Sequence, residues 1–103
     1  MDAAEQLARI YQAGFEIQTF ERFPKAIGVI REGVIALFEA TPDGLRMIGV
    51  PGWRMGGVMG VLVEREGRQV FQAKSEVLEA TADRLEALRR FREEVENLLA
   101  SKA

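Results

Sequence analysis

Neither histidine nor cysteine occurs among the 103 residues of this chain. It therefore lacks the side chain that titrates near neutrality, the thiolate nucleophile and the principal zinc ligands. A Ser-His-Asp or Cys-His relay cannot be assembled within one chain. Catalysis would fall to carboxylates, lysine, Tyr11 or a hydroxyl, and the hydroxyl residues are Thr19, Thr41, Ser75, Thr81 and Ser101. Thr41 belongs to a turn signal, Thr81 to a helix start, and Ser101 to the chain end. Glu39 and Glu64 could form an acid–base or metal pair, but nothing in their spacing demands it. The residues favour a non-enzymatic protein with no catalytic residue, metal or cofactor to assign.

Binding chemistry is concentrated instead in the segment Val50-Pro51-Gly52-Trp53-Arg54-Met55-Gly56-Gly57-Val58-Met59-Gly60, which holds the one tryptophan of the chain. Its Pro and Gly content reads as a loop of about seven residues, longer than a hairpin requires. Trp53 offers a large rigid contact surface and Arg54 a donor for a carboxylate or other anion. Met55 and Met59 are adaptable apolar fillers. The glycines at 52, 56, 57 and 60 match neither G-x-G-x-x-G nor a P-loop. The plain structural alternative is a Pro-Gly turn whose Trp53 caps one end of the core.

A second surface is indicated by strands that are apolar on both alternating faces, residues 34–38 and 58–63. An antiparallel sheet with helices on one side should be polar on the other. Ile35, Leu37, Val61, Leu62 and Val63 are thus candidate interface residues. They can be covered by the chain itself, by a second subunit, or by a ligand.

These residues need elements to position them. Ala3, Leu7, Ile10 and Tyr11 form one helical stripe, with Asp2 as cap and Gly14 as terminator. Strand patterns follow at residues 15–22, 26–30, 34–40, 45–50, 58–64 and 69–74. Turn signals at Glu32-Gly33, Pro42-Asp43-Gly44 and Glu66-Gly67 separate several of them. Residues 75–80 suit either a strand or an early helix. Leu85, Leu88, Phe91, Val95, Leu98 and Leu99 make the apolar stripe of a long last helix, capped by Thr81 and flanked by opposite charges four residues apart. Written as heptads, that stripe places Arg92 at a core position, which argues against a coiled coil.

The pattern predicts one α+β domain over residues 1–103. It would be a two-layer antiparallel β-meander of five to six strands with a short N-terminal helix and a long C-terminal helix. A partly closed barrel capped by the C-terminal helix is the alternative. The 48% apolar and 29% charged composition suits a folded soluble chain, and its longest apolar runs are too short to span a bilayer. The net charge of −2 and the scattered arginines argue against nucleic acid. With no cysteine and no secretory pattern at the start, the cytoplasm is the expected location. The functional expectation is a homodimeric or otherwise partner-binding module that uses an apolar sheet face. A small-molecule or lipid-binding domain with the Trp53 segment at the pocket mouth is the other reading, its ligand a small apolar molecule.

Overall fold

Local turn and cap chemistry sets the chain's order in the computed structural model, which describes residues 2–100. Helix α1 (Ala3–Gln12) starts at Asp2, whose Oδ1 accepts the Glu5 backbone N–H at 2.8 Å. It stops where the Phe15 N–H returns to the Ile10 carbonyl, folding Phe15 back onto the helix. The strands are β1 (Glu16–Thr19), β2 (Ala26–Arg31), β3 (Val34–Thr41), β4 (Gly44–Met55), β5 (Val58–Arg65), β6 (Arg68–Ala73) and β7 (Glu76–Glu79). Helix α2 (Ala82–Ala100) closes the described chain, its first turn capped by Thr81 Oγ1 accepting the Arg84 N–H.

The described strands form one antiparallel sheet in chain order, β1 to β7, curled into a half-barrel. The architecture is α+β, with a short helix before the meander and a long one after it. The meander has seven strands where the sequence indicated five to six, because residues left open at 75–80 pair as β7 with β6. Ser101 lies outside the described residues.

One expectation is corrected. The supposed loop around Trp53 is strand. β4 runs without a break to Met55, Gly56-Gly57 is the turn, and β5 begins at Val58. The Pro and Gly signals that suggested a loop mark a bulge: Ile35 pairs with Gly52 and Leu37 with Ile48, so Gly49-Val50-Pro51 stand opposite Ala36 alone. Pro51 can sit in this strand because the irregularity asks no ladder hydrogen bond of it.

The core forms where the helices meet β2 and β3. Ile10, Phe15, Val29, Val34, Ala36, Phe38, Phe91 and Val95 are buried together, with the Phe15 and Phe91 rings edge-on at 5.5 Å. Each Val, Ile or Phe side chain among them stabilises the fold by about 1.5–3 kcal/mol when fully buried. Gln6, a buried polar residue, links three elements: its Oε1 accepts the Leu45 N–H at 2.6 Å and its Nε2 donates to the Leu99 carbonyl at 3.2 Å. Arg31 ties β2 to both helices, lying over the Phe15 ring, donating to the Ala13 carbonyl and pairing with Glu94.

A smaller buried group, Phe71 and Ala73 of β6, forms in the other wing of the sheet, and Val70 is buried on the opposite side. The wings join through a short ladder, since β4 and β5 pair only at Trp53↔Gly60, Arg54↔Met59 and Met55↔Val58.

Candidate functional site

Trp53 stands at this junction. It pairs with Val34 on β3 and with Gly60 on β5, so the three positions lie on one side of the sheet. Its indole packs on the main core and meets the Phe71 ring at 5.7 Å, touching both buried groups. The Arg84 guanidinium from α2 lies 5.8 Å from the ring centre. One small residue makes room for the indole. A Cβ at Gly33 would come within 2.6 Å of the indole, and Gly33 has φ +89, which with Glu32 at φ +50 forms the β2–β3 turn. At Gly60 a Cβ would collide with the Met55 sulfur.

Alternation divides the four candidate binding residues between the two sides. Trp53 and Met55 share one, and Arg54 and Met59, paired to each other, share the opposite one. Arg54 is already engaged: its backbone N–H donates to the Gly33 carbonyl at 2.7 Å, and its Nη1 lies 2.9 Å from Glu16. Trp53, Arg54 and Met55 are nonetheless brought together along an open groove of about 460 Å³, whose other wall is Glu76, Val77 and Leu78 of β7. Met59 is half-buried outside that lining.

The five interface candidates separate as well. Ile35 is 2% exposed, enclosed by the chain itself, and Leu37 is half-buried. Leu62 pairs with Phe71, on the Trp53 side. Val61 and Val63 face the opposite side, where Val63 is half-buried and Val61 is 50% exposed. Val61 pairs with Gln72, and Gln72 with Val77, itself 49% exposed. This row runs to β7, the last strand of the sheet. Sequence reasoning missed Val77 because two apolar residues between two glutamates, in a four-residue strand, carry too short a pattern to declare a face. Arg84 was missed too; only its place in the first turn of α2 brings it to Trp53.

No family model, curated protein or solved structure matches this chain. A second groove, about 530 Å³, includes Arg31 and Arg54 with Glu16 and Glu32 in its lining. Each of those guanidiniums already has a carboxylate partner, Glu94 and Glu16 respectively, so their charge is largely answered within the chain. Among the described residues no group of three or more Asp or Glu side chains is placed to hold a metal ion, and no helix is long and apolar enough to cross a membrane. On α2 the carboxyl of Glu86 is held below its ordinary range, first by its hydrogen bonds from Arg89 and then by the charges of Arg89 and Arg90. The Arg89 guanidinium is correspondingly held further toward its charged form, chiefly by Glu86.

Proposed function

We propose that this chain is a non-enzymatic cytoplasmic module that works by self-association, through the side of the β5–β7 wing that carries Val61 and Val77. The observation that supports this reading is the row Val61–Gln72–Val77. Two valines about half exposed flank one amide on a single side of the sheet, and the row ends at a strand with a neighbour on one side only. Singly exposed valines are ordinary, whereas an apolar row continuous with an unpaired strand edge is a surface another chain can extend. Sedimentation velocity over a concentration series tests it. The coefficient should rise with concentration, and one that stays constant across the series contradicts the proposal.

A second reading keeps one observation of its own. The groove between β4 and β7 is lined by Trp53, Met55, Val77 and Leu78 together with Arg54 and Glu76, a mostly apolar lining with a few polar groups such as a small-ligand site has. Occupation by a small apolar molecule would shift Trp53 fluorescence in a chain that sediments as a monomer. Self-association without bound ligand favours the first reading.

A further inference from the structure

We infer that the groove between β4 and β7 takes a small organic cation, an amine whose ammonium sits at Glu76 and whose apolar body runs toward Trp53. The inference rests on the small-ligand reading of that groove given above and specifies the ligand's charge and reach.

The charges of the groove are sorted by strand alternation. Its lining holds two charged side chains, Arg54 and Glu76. Arg54 points to the side of the sheet opposite Trp53, and its Nη1 already lies 2.9 Å from Glu16. Glu76 is on the Trp53 side. Trp53 pairs with Gly60; Leu62, two residues on, pairs with Phe71; Phe71 pairs with Leu78, and Glu76 lies two residues from Leu78. Among the described residues no hydrogen bond or ion pair engages the Glu76 carboxylate. The charge of the lining left unanswered is therefore negative.

Position along β7 favours the same sign. The indole meets Phe71 at 5.7 Å, and Phe71 is the partner of Leu78, so Trp53 marks the Leu78 end of the groove. Arg84 stands at that end too, outside the lining, with its Nη1 on the Glu79 carbonyl at 2.7 Å. Glu76 is two residues from Leu78, about 7 Å at the usual strand rise. A cation at Glu76 is thus set apart from the Arg84 guanidinium. An anion would have to draw Arg84 from that carbonyl or Arg54 from Glu16.

The remaining surface suits an apolar body. Met55, Val77 and Leu78 complete the lining, and an indole face attracts a nearby cation as well as apolar groups. The backbone adds an acceptor. The Ala80 N–H donates to the Gln69 carbonyl at 3.1 Å, and alternate residues of an antiparallel ladder bond to the same neighbour. Leu78 and Glu76 therefore bond toward β6, while Val77 turns its N–H and C=O to the groove. The volume, about 460 Å³, is that of a small-molecule site.

Trp53 is the one tryptophan of the chain, so its fluorescence reads this groove directly. Phenethylamine, phenethyl alcohol and hydrocinnamate share a phenyl group on a short chain and differ in charge, and each is titrated at low salt near neutral pH. Phenethylamine should shift the emission saturably and bind about fivefold more tightly than the alcohol, with the anion weakest. Glu76→Gln, verified as folded by a thermal melt, should remove the advantage of the amine over the alcohol, and high salt should shrink it in the wild type. Equal binding of amine and alcohol, preference for the anion, or an amine preference indifferent to Glu76→Gln would overturn the cation assignment and leave the groove as a site for another ligand. No saturable shift with any of the probes would remove the small-ligand reading together with this inference.

Discussion

Single side chains carry unusual weight where the two buried groups of this protein meet. Trp53 touches the main core on one flank and Phe71 on the other. Truncation to alanine should cost about 3 kcal/mol, the low end for a buried aromatic because the ring is half-buried. Urea unfolding reads this as a lowered midpoint, and a loss below about 1 kcal/mol would mean the ring does not bridge the groups. Gln6 makes a different case. Gln6→Leu keeps the bulk but orphans the Leu45 N–H and the Leu99 carbonyl, and should destabilise by about 1–3 kcal/mol in the same assay. Glu86 supplies a pH signature. Its carboxyl is depressed mainly by the Arg89 hydrogen bonds, so its contribution is complete above the unfolded-state pKa and fades as pH falls through the folded one. A carboxyl-detected NMR titration should place Glu86 below the ordinary glutamate value of about 4.3 in the wild type. Arg89→Gln should return it upward, and a midpoint indifferent to that change would contradict the assignment.

At the scale of elements, the helices and most turns were legible because each rests on a short-range signal. Asp2 and Thr81 cap as their side chains dictate, and Glu32-Gly33 and Glu66-Gly67 take the left-handed angles of tight hairpin turns. What could not be read depended on pairing across the sheet. Pro51 and Gly52 look like a loop until β3 is seen to tolerate three residues opposite one, and Glu76 to Glu79 become a strand only because Val70 to Ala73 offer a partner. The candidate surface was partly legible for the same reason. The excess of apolar strand was real, but Ile35 is enclosed by its own chain while Val77, in the strand not foreseen, is exposed. This difference makes a prediction for β7. The Val77 N–H points away from β6, so Val77→Pro removes no internal ladder bond and should melt within a few degrees of the wild type. Leu78→Pro removes a donor that faces β6 and should melt well below both.

The whole molecule measures 45 × 29 × 20 Å, with the helix-packed core toward one wing of the sheet and β7 the last strand of the other. A last strand with a hydrogen-bonded neighbour on one side only leaves an edge that a closed barrel abolishes. Val77→Pro isolates that edge from the rest of the fold. Sedimentation equilibrium of the wild type and this variant, across one concentration series, is the most direct measurement. The wild type should climb from 11.5 kDa toward twice that mass while folded Val77→Pro remains at 11.5 kDa. A wild type that stays at the single-chain mass throughout, or a variant that associates equally well, would contradict it.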